Sequence, residues 1–177
     1  METKAETETT SHLPEQVLTD GFLKSLQIFY FVFGIGALLL LFFVLFQTLS
    51  TPDIPVAVDD MVVRMLSVVH LVYGLAGYVL APLLFRRVLG RGITKRNPDR
   101  VAKAIRNAYI MRLTLFEGVA YFGLVILLIA AMDGVLALFP QYWLNLLSTL
   151  VLLVFLPATF PTRERVHLEL QAQHSVH

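Results

Sequence analysis

The sequence predicts an all-α fold, a bundle of four transmembrane helices with both termini cytoplasmic. Three observations carry that expectation. Of the 177 residues 56% are hydrophobic and only 15% are charged, against about 25% charged in an average soluble domain. The apolar residues gather in blocks of about twenty, the length a helix needs to cross a hydrocarbon core of about 30 Å. The few cations are segregated along the chain, which sets a direction for the helices.

The segment 1–24 is rich in Glu and Thr and lacks the basic-then-apolar pattern of a cleaved signal, so it reads as a disordered cytoplasmic tail. Thr19 or Asp20 is placed to cap the first helix. Residues 25–161 form one transmembrane domain with spans over 25–49, 62–85, 108–132 and 138–160. Gly90 and Gly92 are expected to interrupt the second helix, and Asn97-Pro98-Asp99 reads as a cap, a proline in the first turn and an acid favoured by the helix dipole. The third helix therefore starts at Pro98. Residues 162–177 form a second cytoplasmic tail.

Of the fourteen Lys and Arg, nine lie from Arg86 to Arg112, Lys4 and Lys24 precede the first span, and Arg163 and Arg165 follow the fourth. Only Arg64 falls on the other side, where Asp53, Asp59, Asp60 and Asp133 make both connections acidic. Cytoplasmic loops are enriched in Lys and Arg, so the basic loop 86–107 and both termini are assigned to the cytoplasm of a bacterial-type inner membrane. Arg96, Arg100, Lys103 and Arg106 form a basic surface there whose expected partners are anionic lipid headgroups rather than nucleic acid.

With no cysteine in the chain, disulfides, thiolate metal sites, iron–sulfur clusters and cysteine nucleophiles are excluded. No extramembrane segment is long enough to fold a catalytic domain, so enzyme activity is not expected. A haem held by two histidines of one chain is excluded as well, because His12, His167, His174 and His177 all lie in the tails while His70 alone lies in a span. No cofactor is expected.

Glu117 is the one acid deep in a span. Carboxylates are costly there, face the bundle interior and mark ion or proton sites. Thr114 and Tyr121, at minus three and plus four, share its helical face. His70 and Tyr73 on the second span complete the polar groups that can support it.

Glu117, four intervening residues, Phe122 and then Gly123-Leu124-Val125, with Arg96-Asn97-Pro98-Asp99 upstream, resembles the ion-carrying helix and polar loop of the ATP synthase c subunit, a membrane proteolipid. The resemblance covers about residues 68–130. It implies that Glu117 binds H+ or Na+ and that the chain forms a homo-oligomer. The residues themselves leave a second reading open: a non-catalytic structural, accessory or assembly subunit of a larger membrane complex, in which Glu117 and His70 fix helix packing.

Overall fold

The computed structural model describes residues 17–50, 60–93 and 97–174. The expectations for the tail before residue 17, for Asp53 and Asp59, for Arg96, and for His12 and His177 lie outside them. Three long helices, α1 (Asp20–Ser50), α2 (Met61–Ile93) and α3 (Pro98–Met132), are followed by a short α4 (Val135–Leu138), a 3-10 helix (Pro140–Leu146), α5 (Leu147–Ala158) and α6 (Arg163–His174). There is no strand among the described residues. Four stretches are long and apolar enough to cross a membrane: α1, α2, α3 and Pro140–Ala158. Large apolar side chains such as Leu39, Phe42, Phe46 and Leu144 are exposed along them. Surfaces of that kind belong in lipid, and the chain fits a multi-pass integral membrane protein.

The helix starts follow from local chemistry. The Phe22 amide donates to Thr19 Oγ1 at 3.3 Å. Asn97 Oδ1 accepts from the amides of Asp99 (3.0 Å) and Arg100 (3.4 Å), which satisfies two of the first-turn donors of α3. At the other end of α3 the chain reverses at Gly134, whose φ of 70° lies in the left-handed region that glycine enters without a Cβ penalty.

Three elements differ from the expectation. First, α2 does not stop at Gly90 or Gly92 but continues to Ile93. Gly92 faces Ala104 so closely that a Cβ on it would collide with the Ala104 methyl, so this glycine serves helix packing rather than termination. Most of the basic loop 86–107 is accordingly helical. Second, the fourth span, expected over 138–160, runs over Pro140–Ala158 as a 3-10 turn continued by α5, and Leu138 belongs to the separate α4. Phe139 precedes a proline, is held out of the helical region at φ −129° and ψ 78°, and separates α4 from the 3-10 turn that begins at Pro140. Third, part of the tail 162–177 folds as α6. Thr162 Oγ1 accepts from the Arg165 amide, and Val166 and Leu170, one turn apart, are buried.

The chain divides into two compact units. Unit 1 takes Met1–Tyr30, Pro82–Arg112 and Phe160–His177. Its core contains Leu26, Leu89, Ile105, Val166 and Leu170 beside a ring cluster of Tyr30, Phe85, Tyr109 and Phe160. Arg112 enters that cluster with its guanidinium 4.0 Å from the centre of the Phe85 ring and 4.9 Å from that of Tyr109. Glu169 of α6 closes it: Oε1 pairs with Arg112 Nη1 at 3.2 Å, and Oε2 accepts from the Tyr109 hydroxyl at 2.6 Å. Gln27 Nε2 also donates to the Pro161 carbonyl at 3.1 Å. Arg100, Lys103 and Arg106 point out of the unit and are exposed.

Unit 2 takes Phe31–Ala81 and Leu113–Thr159. Val44, Val63, Leu124, Leu127, Ala130 and Val135 form its core.

Removing the charge of Glu169 takes the carboxylate counter-ion from a guanidinium that is only 10% exposed. Glu169→Gln is expected to lower stability by about 2–3 kcal/mol, below the ~3–5 of a fully buried pair because Glu169 keeps some solvent contact. Glu164→Gln, at an exposed position of the same helix, should change it by less than about 0.5 kcal/mol. Unfolding of the detergent-solubilised chain measures both.

Candidate functional site

Half of the apolar stretch of α3 is buried, against 17% of that of α1, so α3 is the more enclosed of the two helices. Glu117 is 8% exposed, and Tyr121, one turn further on, is its polar neighbour on the same helix. The Tyr121 hydroxyl is directed toward α1, where Gly36 makes room for it; a Cβ at Gly36 would lie 2.5 Å from that oxygen. The Tyr73 hydroxyl lies over Gly118, the residue after Glu117, 3.0 Å from where a Cβ would stand. Of the groups expected around Glu117, Tyr121 and Tyr73 come to its part of α3, whereas Thr114 is exposed.

His70 is the centre of a second arrangement. Its Nδ1 lies 2.9 Å from Asn145 Oδ1, and its Nε2 lies 3.1 Å from the Val119 carbonyl. Asn145 is oriented by its own amide nitrogen, which donates to the Tyr142 carbonyl (3.0 Å) and to Ser67 Oγ (2.9 Å). Both ring nitrogens of His70 therefore meet acceptors. A neutral imidazole carries one N–H and donates to one of them at a time, whereas a doubly protonated ring donates to both. The ring also meets Phe122 edge-on at 5.7 Å, and Phe122 meets Tyr73 at 6.1 Å, so Phe122 lies in contact with both.

Gly123 makes this arrangement possible. A Cβ there would lie 2.6 Å from Ser148 Oγ and 2.8 Å from His70 Cε1, and it would strike the Asn145 carbonyl. The backbone of α3 thus approaches the 3-10 segment and α5 as closely as a glycine permits. Thr149 Oγ1 adds a longer bond to the Ala120 carbonyl at 3.4 Å. No family model, curated protein or solved structure matches this chain. Gly123, one of the residues shared with the c-subunit pattern, has a sufficient local reason in the contact with His70 and Ser148.

At the start of α2 a third cluster joins the 3-10 segment. Arg64 Nη2 donates to both carboxylate oxygens of Asp60 at 2.8 Å, and the Tyr142 hydroxyl donates to Asp60 Oδ2 at 2.7 Å. The Arg64 guanidinium beside Asp60, with the Tyr142 hydroxyl, holds the Asp60 carboxyl below the usual carboxylate range. Among the described residues no three His, Asp or Glu side chains gather as a metal site would require.

Sequence reasoning picks out Glu117, His70, Tyr121 and Tyr73, and it gives Asn145, Ser148 and Thr149 as groups for interhelical hydrogen bonds; it does not join Asn145 and Ser67 to His70. A weak signal was present. Asn145 is the only Asn or Gln between residues 142 and 170, in the middle of an apolar segment. Such an amide in a membrane helix needs a partner on another helix.

The lowered Asp60 carboxyl fixes the sign of a pH effect. The group stays ionised and paired to a lower pH in the folded chain than its ordinary value near ~3.9 in the unfolded one. Its stabilisation is complete above that value and is lost as pH falls through the lower folded value. Thermal unfolding from pH 7 to pH 2 should show an acid-side loss in the wild type that is smaller in Asp60→Asn, whose stability is already reduced at pH 7.

Proposed function

We propose that this protein is a non-catalytic, multi-pass membrane subunit, with both termini and the basic segment 86–107 in the cytoplasm, that serves a structural or accessory role in a larger membrane assembly. The observation that carries this reading is the occupancy of His70. Both nitrogens of the one histidine in the spans lie within hydrogen-bond distance of an acceptor, Asn145 Oδ1 or the Val119 carbonyl, and the ring N–H is held by one of them, as in a structural clamp. Glu117 is likewise enclosed by the bundle, with Tyr121 as its polar neighbour one turn on. The orientation is supported by the nine cations from Arg86 to Arg112, and Arg100, Lys103 and Arg106 are exposed, as contact with anionic headgroups requires.

A second reading keeps Glu117 as a proton or Na+ site of the c-subunit kind, acting in a homo-oligomer. It rests on Glu117 being the one acid between residues 61 and 132 other than Asp99, which lies in the first turn of α3. A rotor carboxylate works at a lateral surface of its subunit, where it meets its stator. Glu117 is only 8% exposed, which favours the structural reading.

Carbodiimide labelling of the membrane-embedded protein separates the two. A structural Glu117 stays unlabelled from pH 5 to pH 9, and Glu117→Gln leaves the labelling pattern and the particle size unchanged. Labelling specific to Glu117 that fades as pH rises, or that Na+ blocks, would replace this reading with the ion-site one.

A further inference from the structure

Unit 2 contains a groove of about 460 Å³ between α2 and the segment made by the 3-10 helix and α5, with Val119 of α3 at its base. That volume lies within the range of ligand-binding clefts. Its walls are apolar and outward-facing: Val68, Leu71, Leu75, Leu144 and Leu147 are all more than half exposed. In a chain with four membrane-length apolar helices such walls face hydrocarbon, so the medium that fills the groove is itself made of lipid chains.

The two ends of the groove differ. Arg64 stands at one end, with Tyr142 and Gln141 nearby. It is the only Lys or Arg between Lys24 and Arg86. Its bond to Asp60 uses Nη2 alone, and the side chain remains 68% exposed. Tyr78 lies near the other end, about 21 Å along α2 at 1.5 Å per residue. Its hydroxyl is buried and makes no hydrogen bond among the described residues. The exposed side of the guanidinium, away from the Nη2 that holds Asp60, offers N–H donors at one end of a long apolar groove, as an anionic head carrying a hydrocarbon tail requires. Guanidinium binds phosphate oxygens through charge-assisted hydrogen bonds.

We propose that this groove is a binding site for one anionic phospholipid, its phosphate on Arg64 and one acyl chain lying between α2 and α5 toward Tyr78. The site is separate from Glu117 and from the basic surface at Arg100, Lys103 and Arg106. Its floor shares His70, Asn145 and Ser67 with the polar cluster on which the structural role rests, and lipid retention is read separately from that role.

The test is native mass spectrometry of the full chain released from nanodiscs of equal phosphatidylglycerol and phosphatidylcholine. The wild type is expected to keep one phosphatidylglycerol in preference to phosphatidylcholine. Arg64→Gln should lower that retention about tenfold, the loss expected for a charge-assisted hydrogen bond. Asp60→Asn breaks the same ion pair but frees the guanidinium, so it should raise retention. The opposite signs separate lipid binding from a merely structural clasp. Val151→Trp, which fills the groove, should abolish retention, and if that variant fails to fold the Arg64→Gln and Asp60→Asn results still decide. Equal retention of the two lipids by the wild type, unchanged retention in Arg64→Gln, or equal loss in Arg64→Gln and Asp60→Asn would each overturn the proposal. So would displacement of phosphatidylglycerol by a prenylquinone probe that depends on the Tyr78 hydroxyl, because the groove would then take a neutral carbonyl ligand.

Discussion

A polar side chain enclosed by apolar helices must find its hydrogen-bonding partners within the protein, and in unit 2 that requirement sets how the helices meet. His70 needs an acceptor for its N–H, and its two nitrogens lie beside one on the 3-10 segment and one on the backbone of α3. Asn145 in turn needs acceptors for its amide, which come from Ser67 on α2 and from the carbonyl of Tyr142 on its own turn. Three chain segments are thereby tied at one level. Shifting any of them by one residue would leave several of these groups unmatched, at a cost per buried group of about 1–3 kcal/mol. Gly123 belongs to the same constraint, since only a residue without a side chain lets α3 come close enough for His70 to reach Val119.

Unit 1 meets a similar demand with charge instead of amides. Arg112 lies among aromatic rings that engage the flat face of its guanidinium, and Glu169 supplies the counter-ion. Tyr109 ties the carboxylate from a second direction, so α6 is held by its buried Val166 and Leu170 and by a two-point polar contact. The C-terminal segment is therefore part of a folded unit. By comparison, the Arg163–Asp20 pair is exposed on both sides and contributes little.

Much of the fold was legible in the sequence, because span length and apolar composition are local properties. The four apolar blocks, the Asn97 cap and the start of α3 at Pro98 were all readable from a few neighbouring residues. The break at Phe139-Pro140 was written just as locally, but the length of the apolar run obscured it. What was not legible depends on residues far apart in the chain. Arg112 and Glu169 are 57 positions apart and His70 and Asn145 are 75, and nothing in either neighbourhood names the other. Gly92 shows the same limit from another side: read alone it is a helix stop, and only the presence of Ala104 makes it a packing residue. Glu117 was found because a carboxylate in an apolar run is conspicuous, and Tyr121 one turn on was readable beside it, yet the enclosure of Glu117 is a tertiary fact.

The meeting of α2, α3 and the 3-10 segment depends on His70 and Asn145 acting as one unit. A double-mutant cycle of His70→Ala and Asn145→Ala, read from equilibrium unfolding of the full chain in detergent, measures that coupling directly. The structure predicts a coupling energy of about 1 kcal/mol, within the range found for interhelical hydrogen bonds in membrane bundles. Destabilisations that simply add, to within about 0.3 kcal/mol, would contradict it.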